Sequence, residues 1–261
     1  MLILLSPSKT LSKRAAPEVQ ASYPLFLDQS VELVNRVNML GRNLAKTLGV
    51  SREIAELNRS RFEEWSEQEH ASGKPAIYAY AGDVYNGLAA FDMSSEQIGH
   101  AQQHLRILSG LYGSLRPLDL ILPYRLEMST KLSGKWGSNL YKFWGDQLAN
   151  SVVGEADGLV LNCASNEYAK AVLPGLSTTT RVITPKFLHD SGDGPRAKMT
   201  FAKYTRGLMA RWAVENRVSI AEDLLKFDLE GYRYEPELSS PNAPTFIAPK
   251  DFSLIGRFIK F

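Results

Sequence analysis

The stretch that most limits how this chain can fold is Ala101 to Met128, AQQHLRILSGLYGSLRPLDLILPYRLEM. An amphipathic helix there runs into a two-glycine turn and a link bounded by Pro117 and Pro123. Ser94 is placed to cap the helix, with Gln97 reaching back, because a first helical turn leaves backbone N–H groups without partners. Ile98, Ala101, Leu105 and Leu108 recur at spacings of three and four, which predicts one buried helical face continuing through Leu108. Gly110 and Gly113 bracket Leu111 and Tyr112 and predict a turn that takes positive φ and lets another chain come close. The prolines forbid simple helix continuation, so Leu118–Leu122 is a short apolar link between two bends. Arg106, Arg116 and Arg125 then converge on a rim, a geometry that suits an anion. The plainer reading is a helix and a structural turn, with the arginines solvated or paired to Asp119 and Glu127.

Around this stretch the chain reads as mixed α/β of the α+β type. Leu2–Leu5 is a continuous apolar run of strand length, as expected of a strand buried on both faces. It ends in Ser6-Pro7-Ser8-Lys9-Thr10, at the edge where ligands commonly sit in α/β sheets. Ser6, Lys9 and Thr10 are therefore candidates, although the segment has neither the glycines nor the GK[ST] ending of a P-loop. From Pro24 a helical pattern runs to Leu48, Gly49 can end it, and Ser51 can cap a second helix through Trp65. This pair is a second helix–turn–helix candidate, whose plainer reading is an αα-hairpin covering the sheet. Ala76–Ala81 alternates like a strand, and 82–87 is expected to be a polar loop carrying Asp83 and Tyr85. Tyr141–Val152 is helical, Leu159–Leu161 is another buried strand, and Asn162–Tyr168, with Glu167, is its polar exit. Arg181–Thr184 and Ala197–Ala202 read as weaker strands around a turn at Ser191–Pro195. Lys203–Asn216 is a helix, Ile220–Phe227 a short one, and Phe252–Phe261 a final strand. No repeat or linker divides the chain, so one compact domain over 1–261 is expected, a central sheet flanked by helices.

Total charge says little, because the net value of +2 hides local clustering. Arg196 to Arg217 holds six cationic residues, Lys203 and Arg206 among them, against Glu215, for a net of +5. Ala101 to Gly145 holds six against Asp119 and Glu127, for a net of +4. With a hydrophobic content of 44% and 22% charged residues, the chain has the composition of a globular protein. The one cysteine, Cys163, excludes an internal disulfide and fits a reducing compartment. No apolar run approaches the ~20 residues needed to span a bilayer, and Met1–Leu5 is too short for an export signal. A cytoplasmic protein without membrane association is expected. His70, His100, His104 and His189 form no zinc motif, no cysteine cluster offers an iron site, and no GxSxG elbow marks a hydrolase. No metal or other cofactor is implied.

Several long motifs carry a resemblance. AQQHLRILSGLYGSLRPLDLILPYRLEM, the opening MLILLSPSKT, GDVYNGL at 82–88, YKFWGD at 141–146, LNCASNEY at 161–168, and YTRGLMARW followed by EN at 204–216 are similar to the YaaA family of peroxide-stress proteins. The similarity runs in order from Met1 to about Tyr234. It implies a cytosolic bacterial protein used under hydrogen peroxide stress, limiting iron-driven oxidative damage. It also implies DNA binding through a helix-hairpin-helix element and a positively charged cleft.

Two functions of different class follow. In the first, the chain binds DNA: the Gly110–Gly113 hairpin, with Tyr112 at its tip, offers backbone N–H groups to a phosphate. Lys9, Arg106, Arg116, Arg125, Lys203 and Arg206 complete the contact. Such binding reads DNA structure rather than base sequence and weakens steeply with salt. In the second, an enzyme acts on a phosphorylated small molecule or damaged nucleotide, in a pocket of Ser6, Asp83, Tyr85, Asn162 and Glu167.

Overall fold

The computed structural model describes residues 1–190 and 194–254. Its centre is a five-stranded sheet of β1 (Leu2–Leu5), β2 (Leu105–Ser109), β3 (Gly113–Leu115), β4 (Leu159–Asn162) and β5 (Arg181–Ile183), in the order β3-β2-β1-β4-β5. All neighbours run parallel except the β2–β3 hairpin. Ile3 stands level with Leu105 on one side and Leu161 on the other. Every β1 residue is buried, as a strand covered on both faces requires. The fold is mixed α/β, with helices packed about this sheet.

A second sheet joins β6 (Lys186–Asp190), β7 (Pro195–Arg196), β8 (Arg233–Tyr234) and β9 (Thr245–Ala248), in the order β7-β6-β9-β8. β6 and β7 pair antiparallel on either side of the expected turn, whose residues 191–193 lie outside the described residues. Residues 199–202, expected in a strand, open a helix instead, where the Thr205 hydroxyl donates to Phe201 O. The strand expected at Phe252–Phe261 lies outside the described residues beyond Leu254, and Phe252–Leu254 is not strand.

The helices that matter to the site are α1 (Leu27–Asn38), α2 (Leu44–Leu48), α3 (Arg52–Glu63), α4 (Asp83–Leu88), α5 (Ser95–His104), α6 (Leu140–Trp144), α7 (Gln147–Glu155) and α8 (Met199–Glu215). The capping box at α5 forms as its residues require: Ser94 Oγ accepts the Gln97 N–H, and Gln97 Oε1 accepts the Ser94 N–H. The helix nevertheless stops at His104, and Leu105 enters β2 without a connecting loop. Leu105 and Leu108 belong to a strand beside β1, because an apolar run buried on all sides satisfies either period. Two further expectations are corrected. Ala76–Ala79 is a single helical turn with only Tyr80–Ala81 extended, and Asp83–Leu88 is a helix rather than a loop.

Helices α4 and α8 cross with their backbones in contact. A Cβ on Gly207 would lie 1.8 Å from Val84 O, and one on Gly87 would lie 2.0 Å from Tyr204 O. Only glycine at both positions permits this approach. The backbone that comes so close to Gly207 is that of α4. A buried polar knot closes the opposite flank. Tyr112 Oη accepts from the Trp65 indole at 2.9 Å and from the Leu122 N–H at 3.1 Å, so its own proton faces His70 Nε2 at 3.2 Å. The other ring nitrogen of His70 donates to Ser66 O.

Candidate functional site

The carboxyl ends of β1, β2 and β4 form the switch region of the main sheet, where β1 has β2 on one side and β4 on the other. Ser6 follows β1 directly. Its hydroxyl accepts the Ser165 N–H at 2.8 Å and lies 3.2 Å from Ser165 Oγ, while its carbonyl accepts the Tyr85 hydroxyl at 3.0 Å. Asn162 ends β4, bonding Thr184 Oγ1 and accepting the Ala164 N–H, which turns the strand exit back on itself. Lys9 reaches Glu127 at 2.7 Å, and the same carboxylate meets Arg125 at 3.4 Å. Glu167 accepts both the amide and the hydroxyl of Ser129. Asp83, half-buried, occupies the first turn of α4 beside the loop from Ser6 to Lys9. Four of the five expected pocket residues, Ser6, Asp83, Tyr85 and Asn162, thus stand around one strand edge, and Glu167 joins them through the exit of β4.

Behind this edge runs a chain of hydroxyls: Tyr80 to Tyr124 at 2.7 Å, and Tyr124 to Ser109 at 2.6 Å. Burial pushes the Tyr124 phenol up to about 12, against the hydrogen bonds from Ser109 and Tyr80. Burial likewise raises Tyr80, Tyr85 and Tyr168, so all four phenols keep their protons at neutral pH. Arg206, on α8, lies close enough to Cys163 to act on that thiol electrostatically. Burial nonetheless dominates and raises Cys163 to about 12. Lys203, one turn away on α8, is exposed to solvent.

The arginine rim expected around the glycine hairpin does not form. Arg106 lies inside β2 and is buried. Its Nε meets Glu155 at 2.6 Å, and its Nη1 donates to the carbonyls of Gln102 and Leu105. Arg116 pairs with Asp119, a carboxylate fully hidden from solvent, and donates to Tyr23 O. Arg106, buried in β2, must find its acceptors locally, and the half-exposed Arg116 is held by the hidden carboxylate of Asp119 and by Tyr23 O, so neither joins a rim. Gly113 does take positive φ, +71°, as expected. But a Cβ there would meet the Trp144 ring at 2.8 Å, and one on Gly110 would meet Leu126 O at 2.3 Å. Leu111 and Tyr112 are fully buried, and their N–H groups already bond Ser109 Oγ. The hairpin is a core turn, with no donors turned toward solvent.

An exposed helix–turn–helix exists elsewhere. Gly49 ends α2 at φ +64°, nothing crowds the position of its missing Cβ, and Ser51 caps α3 through the Ile54 N–H. This turn borders an open cleft of about 630 Å³ whose walls include Arg36, Asn43, Lys46, Lys131 and Glu127. Lys46 and Lys131 are exposed and have no ion-pair partner among the described residues. Sequence reasoning counted these two lysines among the local cations without assigning them to a site, and it passed over Ser109, Tyr124 and Ser165. The excess of cations flanking Gly49, and the position of Ser165 in a strand exit like that of Ser6, were the available signals. Among the described residues no three His, Cys, Asp or Glu side chains are grouped to hold a metal ion, and no helix is long and apolar enough to cross a membrane.

A largely parallel sheet with polar and charged groups gathered at the carboxyl ends of its strands defines an α/β protein whose candidate site lies at that edge. The particular family follows from comparison. The family model described as "Peroxide stress protein YaaA" matches residues 1–238. A UPF0246 protein of Ruegeria pomeroyi is 44% identical over 255 residues, covering 95% of this chain and 99% of its own. Relatives bearing the same UPF0246 description in Shewanella sp. (strain MR-4) and Marinomonas sp. (strain MWYL1) are 46% and 44% identical, covering 95% and 96% of this chain and 98% of their own. The chain belongs to the YaaA family of peroxide stress proteins.

Proposed function

We propose that this peroxide stress protein acts in the cytoplasm by binding DNA along one sugar–phosphate strand in the lysine-lined cleft. The observation that carries the reading is the exposed Gly49 turn beside that cleft. The Gly49 and Val50 N–H groups already close the end of α2 onto Lys46 O and Ala45 O, so the N–H groups a phosphate would meet are those of the first turn of α3, which the uncrowded glycine leaves room to approach. Lys46 and Lys131, free of carboxylate partners among the described residues, then neutralise neighbouring phosphates. The helix-hairpin-helix role thus passes from Gly110–Gly113 to α2–Gly49–α3. A cleft of about 630 Å³ accommodates a few nucleotides of one backbone, not the ~20 Å width of a duplex, which favours bent, bulged or single-stranded sites. Contacts to phosphates carry no base information, so selectivity is for structure. Backbone binding releases condensed counterions. Ferrous ions among them would leave the phosphates that the protein covers, and this ties DNA binding to protection from iron-driven damage.

The test is a salt titration of binding to duplex, bulged and single-stranded DNA. Lys46→Ala and Lys131→Ala should each lower the salt slope by about one unit and leave the melting temperature unchanged, since both side chains are exposed. Slopes unchanged in both variants would remove the cleft from the DNA contact.

A further inference from the structure

Arg206, like Arg61 on α3, differs from the paired arginines that the fold holds close, and of the two it is Arg206 that sits near the exit of β4. Arg106 has Glu155, Arg116 has Asp119, and Arg211, on the same helix as Arg206, has Glu215 at 2.8 Å. Arg206 is half-buried, and among the described residues it has neither an ion-pair partner nor a hydrogen-bond acceptor. The titratable group that faces it is Cys163, whose thiol burial keeps protonated. A neutral thiol cannot offset a guanidinium charge. Burial accordingly disfavours the charged form of Arg206. A second guanidinium at this edge is also under-used: Arg125 Nε is buried without an acceptor, and its contact to Glu127 is a long one shared with Lys9.

Withdrawing a cation from water without pairing it costs stability. A fold that keeps one such group, and a second guanidinium only loosely paired, beside the carboxyl ends of its parallel strands has left room for an outside partner. That partner is an anion. Its shape follows from the donors, which come from separate elements: the guanidinium fork of α8, Arg125 on the link after β3, and the Ser6–Ser165 hydroxyl pair bridging the exits of β1 and β4. A tetrahedral group with three free oxygens accepts from several directions at once, whereas a planar carboxylate offers two oxygens in one plane. We propose that the carboxyl edge of the main sheet binds a phosphate monoester, with Arg206 as its anchoring cation and the Ser6–Ser165 pair completing the cradle. The site is separate from the backbone contact in the cleft, since neither Lys46 nor Lys131 belongs to it, and it does not rest on DNA binding.

The experiment is calorimetric titration with matched thermal melts, using inorganic phosphate, adenosine 5′-monophosphate, and a short oligonucleotide with either a 5′-phosphate or a 5′-hydroxyl. Wild type should be stabilised by at least one phosphate monoester. The arms identify its source: free phosphate, nucleotide, or strand end, the last by a preference for the 5′-phosphate oligonucleotide. Arg206→Met should weaken that binding by about ten- to a hundredfold, the scale of a lost charged hydrogen bond. Arg206→Lys should fall between the two. Without ligand, Arg206→Met should melt at or above wild type, because it removes an unpaired, partly desolvated charge. Arg206→Met retaining wild-type affinity for the monoesters would overturn the proposal. So would an unliganded Arg206→Met that melts well below wild type while phosphate stabilisation persists, or a wild type that none of the monoesters stabilises. Lys46→Ala, read by its salt slope on DNA, reports on the cleft alone, so failure of either site is distinguishable from failure of the other.

Discussion

Substituting alanine for Gly207 is the sharpest test of the packing that assembles this edge. The new Cβ would lie 1.8 Å from Val84 O, whereas carbon and a carbonyl oxygen in close contact stand about 3.3 Å apart. The shortfall is about 1.5 Å. No rotamer relieves it, because the obstructing atoms are backbone on both sides, Val84 O and the Leu88 amide nitrogen among them. Helix α4 must therefore withdraw from α8, opening space along a buried interface. Overpacked cores lose about 1–3 kcal/mol, and a backbone obstacle puts this case at about 3 kcal/mol or beyond. For a chain of this size the melting temperature should fall by roughly 6–12 °C. Withdrawal of α4 also lifts the Tyr85 hydroxyl off Ser6 O, so the edge loosens with the core. Gly99→Ala is the matched control. It is the same substitution inside α5 with nothing within 4 Å, and it should gain about 0.4–1 kcal/mol through the unfolded state. Thermal and urea melts of both variants decide the matter. A Gly207→Ala protein melting within about 2 °C of wild type, or a Gly99→Ala protein falling as far, would refute the close crossing.

Two other substitutions separate structural from binding roles. Arg116→Ala should cost about 1–2 kcal/mol, discounted for the exposed part of its side chain, because it strips the hidden Asp119 of its ion pair. It should leave the salt slope of DNA binding unchanged, and a slope reduced by a full unit would return Arg116 to the phosphate contacts. His70→Gln should cost about 1–3 kcal/mol at neutral pH by depriving the Tyr112 hydroxyl of its acceptor. It should also soften the acid side of the stability profile. Burial lowers the His70 pKa below its unfolded value, so its stabilising contribution is complete above about pH 6.5 and is lost as pH falls below that. His100 shifts in the same direction, so melts from pH 7.5 to 5 should show a shallower decline in the variant, not a flat one. A decline as steep as wild type would take His70 out of the acid response.

How far the chain could be read in advance depended on whether a signal was local. Ser94 with Gln97, Gly49 with Ser51, and the Leu2–Leu5 run each state their structure within a few residues, and each is found as read. Leu105 and Leu108 misled because a strand buried on both faces shows no alternation. Its identity depends on β1, a hundred residues away. The same blindness moved three arginines onto a rim. Arg106 sits between Leu105 and Ile107, and a cation in so apolar a run calls for an internal partner, but Glu155 is not recoverable from spacing. The strand-edge residues were legible because strand exits announce themselves. The cleft was not, since its walls come from α1, α2 and the loop after Glu127, which only the folded chain brings together.

The burial of Cys163 has a further meaning for a protein of peroxide stress. Hydrogen peroxide attacks thiolates, and a thiol that titrates near 12 presents almost none at cellular pH. With 1% of its surface exposed, the chain's lone cysteine is shut away from the oxidant as well as from its own ionised form. Met39 and Met199 are the exposed sulfurs, and a sulfoxide at either would stand in solvent rather than in the core. The lone thiol serves the packing behind the exit of β4, and its burial keeps that packing out of reach of the oxidant.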